Sequence, residues 1–235
     1  ARVVGKTLSF RNATVDDAAF ILSLRTDAEK SRYLSAVSGE LAAQQAWLER
    51  YARADDQAYF IIEYQDVPIG TVRLYDPQGE SFCWGSWILH RSRPSQAAME
   101  SALMVYAYAV DHLGFTAAHF DVRKGNERVW QFHQRFGAVR IAETELDYLY
   151  RIEAPAITAS RIRYRRFLEG SVTVVANDES LALEHPMSAS MAFGNDCIIP
   201  DGARIEPGVT LGQRVILAGD NIVIRANARL DEIGR

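Results

Sequence analysis

The chain has 235 residues, 48% hydrophobic and 24% charged, with a formal net charge of −4. That length supports a sizeable core and at most two domains, and the acidic balance argues against a nucleic-acid partner, which calls for a basic surplus. No apolar run approaches the roughly 20 residues of a membrane span and no signal-peptide pattern opens the chain, so a cytoplasmic protein without a membrane partner is expected. Cys83 and Cys197 have neither metal nor redox spacing. They read as two reduced cysteines, and no metal site is expected.

Residues 8–12 read as a short strand. Thr14 then opens a helix, with Asp17 three residues on in a capping-box arrangement and Ala18, Ile21, Leu22 and Leu24 apolar. Ser38 caps a second helix to about Ala54, with Leu41, Trp47, Leu48 and Tyr51 on its buried side. A hairpin follows, 59–64 and 69–74, around a turn at Gln65 and Asp66. A Pro-Gln-Gly turn at 77–79 leads into a strand over 82–89, a loop bearing Arg91 and Arg93, and a long amphipathic helix over 96–113. After a strand at 118–122 comes the run NERVWQFHQRFGA, which carries Asn126, His133 and Gly137; strands at 139–142 and 148–152 complete the pattern. This order implies an α/β fold, a mixed sheet flanked by helices. Strand alternation places Trp84 and Trp87, three apart, on opposite sides, and sets Asp121 opposite Phe120 and Val122.

Residues 156–168 carry Arg161, Arg163, Arg165 and Arg166 and read as a connecting helix that packs Ile162 and Phe167 inward. The alternative is a basic helix that docks on an acidic or phosphorylated surface. Beyond it the period changes. Every sixth residue from Met187 is apolar, through Phe193, Ile199, Ile205, Leu211 and Leu217 to Val223, with glycines and prolines between. This resembles the hexapeptide repeat of the left-handed parallel β-helix found in hexapeptide acyltransferases, which uses three hexads per coil. The period breaks at Arg229, after little more than two coils. Such a short segment implies a capping role or a homotrimer rather than a second transferase site, because His185 is the one histidine near it. The expected organisation is a domain over 1–155, a connection over 156–186 and a β-helix segment over 187–235.

In element order and in the motif region, the first 152 residues resemble the GNAT superfamily of N-acetyltransferases. The nearest flavour acetylates amino groups of nucleotide-linked sugars or protein N-termini. The resemblance implies acetyl-coenzyme A as co-substrate. Its pantetheine arm would add to the strand WGSWIL, with the polarising strand amide near Leu89. Its diphosphate would lie on the loop and helix N-terminus RSRPSQAAMES, where Arg91 and Arg93 supply charge and Ser95, Gln96, Ala97 and Ala98 supply amides. Gln96 stands where the family pattern has its first glycine, and Pro94 removes one donor. Asn126 matches the cofactor-contacting asparagine. His133, seven residues on, occupies the position of the family's tyrosine, and an imidazole titrating near neutrality is a proton donor for the departing thiolate.

Asp121 and Glu63 are the candidate bases for the amine, with Asp121 equally readable as an ion-pair partner of Arg123. The acceptor side would draw on Arg25, Arg32, Tyr33, Arg73, Tyr75, Trp84 and Trp87, since arginines beside aromatic rings suit a sugar bearing a nucleotide diphosphate. The expected activity is acetyl transfer to a primary amine, that of an amino sugar or nucleotide-linked amino sugar. A peptide N-terminus is the alternative acceptor, and a non-catalytic binding module, trimerised by the β-helix, the alternative to an enzyme.

Overall fold

The computed structural model describes residues 2–27, 31–33 and 37–175, and five two-residue strands further on. The chain divides into two compact units, Ala1–Asn177 and Asp178–Arg235. No helix among the described residues is long and apolar enough to cross a membrane.

In the first unit the elements run β1 (Arg2–Val4), β2 (Leu8–Asn12), α1 (Ala18–Thr26), α2 (Leu41–Tyr51), β3 (Ala58–Tyr64), β4 (Val67–Gln78) and β5 (Ser81–Leu89). Then follow α3 (Ala97–Asp111), β6 (Ala117–Arg123), α4 (Glu127–Arg135), β7 (Val139–Glu143), β8 (Asp147–Glu153), α5 (Ala154–Arg163) and β9 (Thr173–Val175). The strands form one sheet in the order β7-β8-β6-β5-β4-β3-β2-β1-β9. Every pairing in it is antiparallel except that of β5 with β6.

Two local signals act as the sequence indicates, whereas Ser38 does not cap α2, whose N-cap is Glu40. The Asp17 carboxylate accepts the Thr14 amide at 2.8 Å, so the capping box forms, although a 3₁₀ turn over Val15–Asp17 precedes α1. Gln65 and Asp66 both take positive φ, as a two-residue hairpin loop requires. Strand β3 is buried on both faces: Phe60 and Ile62 pack with α3, while Tyr59 and Ile61 pack with α1 and α2. Helix α3 is buried almost all round from Ser101 to Ala107 and fills the larger core. Leu41 is exposed rather than inward; α2 instead buries Gln44, Leu48 and Tyr51, the i, i+4, i+7 stripe.

Two expectations about packing are corrected. The segment expected as a connection over 156–186 begins inside the first unit. Helix α5 buries Ile157 and Ser160 against it, and β9 adds to the sheet edge beside β1. Helix α5 starts at Ala154, two residues before the expected point, with Pro155 in its first turn. That phase turns Ile162 outward, while Phe167 still packs on the core.

Trp84 and Trp87 do not face opposite sides. Between Thr71 and Arg73 of β4 there are two steps, but between their partners Ile88 and Gly85 there are three. This bulge, with Ser86 at φ 48°, restores both tryptophans to one face, their rings 5.4 Å apart. The Thr71 hydroxyl donates to the Ser86 carbonyl at 2.7 Å and holds the bulge.

In the second unit, β10 (Ala192–Phe193), β12 (Thr210–Leu211) and β14 (Arg229–Leu230) pair in parallel, as do β11 (Arg204–Ile205) and β13 (Val223–Ile224). Paired residues lie eighteen apart (Phe193 with Leu211) or nineteen apart (Ile205 with Ile224, Leu211 with Leu230). Pairing therefore runs past Arg229, with Leu230 taking up the register one residue late. The hexad positions Met187, Ile199 and Leu217 lie outside the described residues.

A residue at positive φ is strained unless it is glycine. Ser86→Gly is therefore expected to leave stability unchanged or raise it by up to about 1 kcal/mol, and Ser86→Val to lower it by about 1–3 kcal/mol. Urea unfolding of the two variants measures both.

Candidate active site

The sheet opens where β5 meets β6. These parallel strands pair over only three residues, Ser81 with Ala117, Phe82 with Ala118 and Cys83 with His119, and then separate. A cavity of about 190 Å³ occupies the gap. Its walls are Trp84 to Trp87 on β5, Phe120 to Arg123 on β6, Asn126, Val129 and His133 at α4, and Arg25 and Tyr33 from the α1 side. A second cavity, of about 280 Å³, is lined by Gln44, Trp47, Tyr59 and Arg73 and shares Arg25, Tyr75 and Ser86 with the first.

Asn126 stands at the N-cap of α4, yet its side chain makes no capping bond, so its amide is available to a ligand in the cavity. Gly137 ends the same helix at φ 94°, and a Cβ there would come within 2.9 Å of Ala156. Only glycine meets both demands. These two residues fix the length and pitch of α4 and so the place of His133.

His133 is 5% exposed and lies in a cage of rings, with Phe120 at 4.2 Å, Trp84 at 5.1 Å and Phe132 at 5.8 Å between centroids. Its Nδ1 has no hydrogen-bond partner among the described residues. Desolvation by burial pulls its pKa down to about 3, so the ring is neutral at pH 7. The expectation of an imidazole titrating near neutrality is thereby corrected: strand and helix periodicity placed the ring but could not count the aromatic groups around it.

Alternation along β6 holds. Phe120 and Val122 are buried and Asp121 is exposed into the cavity. Asp121 makes no ion pair among the described residues, because Arg123 pairs instead with Asp147 at 3.3 Å. Glu63 is removed from candidacy as a base. It is buried and bound by Arg11 at 2.7 Å and Arg2 at 2.9 Å. Arg11 also grips Asp17 through two bonds of 2.7 Å. Burial opposes ionisation of Asp17, but the bonds from Arg11 and Thr14 prevail and hold its carboxyl below the usual range. Glu63 and Asp17 thus anchor the fold away from the gap.

At the start of α3, Gln96 has φ −78° and ψ −13°, an ordinary right-handed conformation. The glycine of the family pattern is not needed here for its backbone freedom. The Gln96 side chain donates to Thr7 Oγ1 at 3.4 Å. Pro94 accepts the Ala97 amide at 3.0 Å, and no backbone carbonyl among the described residues takes the amides of Ala98 and Met99. Arg93 donates to the His90 carbonyl, Arg91 lies 3.9 Å from Asp27, and Ser95 is exposed. Leu89 ends β5 opposite Gly70, where a Cβ would meet the Ile88 carbonyl at 2.4 Å.

The sequence did not single out Glu100. Fully buried in the first turn of α3, it accepts the amides of Thr7 and Leu8 at 2.5 and 2.9 Å and so fixes the β1–β2 turn to the helix.

Of the expected acceptor residues, Tyr33, Tyr75 and Trp84 line the first cavity and Arg73 and Tyr75 the second. Arg32 is exposed and lines neither; its guanidinium lies 5.3 Å from the Tyr33 ring centroid. Gln44, Trp47 and Ser86 were not foreseen. The signal for Ser86 was the glycine beside it, since Gly85 interrupts a strand pattern.

The family model for the acetyltransferase (GNAT) domain matches residues 7–139. FdhC, solved without ligand and described as a nucleotide-linked sugar GNAT, is 38% identical over 72% of this chain and 98% of its own, with a TM-score of 0.65. Two further structures share the fold. A GCN5-related N-acetyltransferase from Brucella melitensis is 14% identical over 71% of this chain and 84% of its own, with a TM-score of 0.60. Mutant forms of the spermidine/spermine N-acetyltransferase SpeG from Vibrio cholerae are 16% identical over 65% and 97%, with a TM-score of 0.54. No curated protein matches the sequence. The chain belongs to the GNAT acetyltransferase family and is, by that membership, an acyl-coenzyme A-dependent N-acetyltransferase.

The buried neutral His133 has a consequence for stability. An unfolded imidazole binds a proton below about pH 6.5, whereas the folded one binds it only near pH 3. The stability that His133 contributes is present above pH 6.5 and is lost as pH falls toward 3. His133→Phe is expected to lose about 2–3 kcal/mol less than the parent between pH 7 and pH 4, measured by denaturant unfolding at both pH values. Equal losses would place a solvated, titrating ring at this position.

Proposed function

We propose that the protein transfers the acetyl group of acetyl-coenzyme A to the primary amine of a nucleotide-linked amino sugar. The observation that carries this reading is the gap between β5 and β6. Asn126 and the Asp121 carboxylate both line it, and the N-terminus of α3 follows the end of β5 in the chain. The 38% identity to a nucleotide-linked sugar GNAT supports the acceptor class. Two cavities lined by arginines and aromatic rings suit a sugar better than a peptide terminus, for which an open groove is needed.

Acetyl-coenzyme A supplies the acyl group as a thioester and departs as the free thiol. The amides of Ala98 and Met99 and the dipole of α3 would hold its diphosphate, with Arg91 and Arg93 close in the loop. The unpaired edge of β5 beyond Cys83 would receive the pantetheine amides, and the Asn126 side chain would contact the same arm.

Asp121 takes the proton that the amine loses as its nitrogen attacks the thioester carbon. That proton passes through Asp121 or solvent to the sulfur as the carbon–sulfur bond breaks. His133, being neutral, offers the sulfur a hydrogen bond and is not the source of its proton. Two substrates held in one gap account for much of the rate by positioning.

The C-terminal unit, in this reading, is a short left-handed β-helix through which three copies associate. Parallel pairing at steps of eighteen and nineteen residues supports a coil of three hexads.

Asp121→Asn is expected to lower kcat/KM by about 100-fold or more, with the Km for acetyl-coenzyme A little changed, in a thiol-release assay with a nucleotide-linked amino sugar. Activity within threefold of the parent would remove Asp121 from the proton path. Asn126→Ala is expected to raise the Km for acetyl-coenzyme A by about tenfold. Size-exclusion chromatography with light scattering is expected to give three times the 26.3 kDa of one chain. A monomer would contradict the trimer.

A further inference from the structure

The two adjoining cavities differ in charge. In the second, Arg73 extends from β4 between two rings, its guanidinium 5.1 Å from the Trp47 centroid and 4.6 Å from that of Tyr75. Its Nε donates to Gln57 Oε1 at 2.8 Å, and its Nη2 donates to the same atom. No carboxylate pairs with Arg73 among the described residues, and none of the described residues lining this cavity is acidic. Aromatic faces and a neutral amide hold the guanidinium in place without cancelling its charge. Its remaining N–H groups are available to an acceptor.

The first cavity is balanced, since Arg25 lines it as it lines the second and two arginines meet two aspartates there. There the Arg123–Asp147 pair is internally neutral, while Asp121 has no ion pair among the described residues. Tyr75 and Ser86 stand in both walls, so the two charges flank one continuous space.

We propose that the cavity walled by Trp47, Arg73 and Tyr75 is the subsite for a phosphate of the acceptor, whose amine reaches past Ser86 to Asp121. This rests on the N-acetyltransferase reading above and adds to it a requirement: the acceptor carries a cation-seeking end as well as an amine. A guanidinium fork suits phosphate oxygens, and a partly enclosed site strengthens the attraction. A polyamine would set an ammonium against Arg73, and like charges repel there. A free amino sugar would reach Asp121 but leave Arg73 without a partner.

The test compares thiol release from acetyl-coenzyme A with a nucleotide-linked amino sugar, the same amino sugar without its nucleotide, and spermidine. Enzyme with Arg73, Arg73→Lys and Arg73→Gln is used, with thermal melting to confirm folding. The expected result is a kcat/KM at least about 100-fold higher for the nucleotide-linked acceptor. In Arg73→Gln that preference falls by about 10- to 100-fold, through KM more than kcat, and Arg73→Lys restores part of it.

Equal turnover of all three acceptors by the parent enzyme would overturn the proposal. So would an Arg73→Gln variant that loses activity equally toward each, since Arg73 would then serve packing alone. Absence of thiol release with every amine would refute the transferase reading instead. The subsite is then tested by calorimetry with uridine diphosphate and thymidine diphosphate as probes. Binding by the parent that is lost in Arg73→Gln supports it, and binding that is equal in the two, or absent from the parent, overturns it.

Discussion

Everything at the candidate site depends on the separation of β5 from β6 after three paired residues. A parallel pair that continued would close the sheet and satisfy its backbone groups internally. By parting, the strands leave one edge of β5 open and connect the two faces of the sheet. The bulge at Ser86 lies on β5 beyond the residues that pair with β6, and the Thr71 hydroxyl holds it from the neighbouring strand. Both tryptophans then pack on the α3 side, where the Trp87 indole donates to Ser101 at 3.1 Å.

Burial divides the titratable groups into those that hold the fold and those that face the cavity. Glu63, Asp17 and Glu100 are buried and fully engaged by arginines or backbone amides. Their loss would leave charges uncompensated, which makes them structural. Asp121 alone among the carboxylates considered has both exposure to the gap and no ionic partner among the described residues. Cys83 sits beside it on β5, where burial pushes its thiol up to about 11 and keeps it protonated and inert.

What was legible in the sequence was local. Gly137 ends α4 at a positive φ that glycine meets without strain, so the end of that helix reads directly. The capping box at Thr14 and the hairpin turn at Gln65 and Asp66 are legible for the same reason. The orientation of Trp87 was not, because strict alternation assumes an unbroken ladder and the bulge is set by pairing with β4. Nor was the role of Glu100, whose partners at Thr7 and Leu8 lie more than ninety residues away. The proton affinity of His133 was not legible either, since it follows from a cage that β5, β6 and α4 build together.

The central claim is that thioester and amine enter the same gap from opposite faces of the sheet. A crystal structure with coenzyme A and the nucleotide-linked product tests it most directly. The account predicts the sulfur between β5 and β6 beside Ser86 and Asn126, and the acetylated nitrogen on the Asp121 side. Coenzyme A bound elsewhere, or both molecules entering from one face, would contradict it.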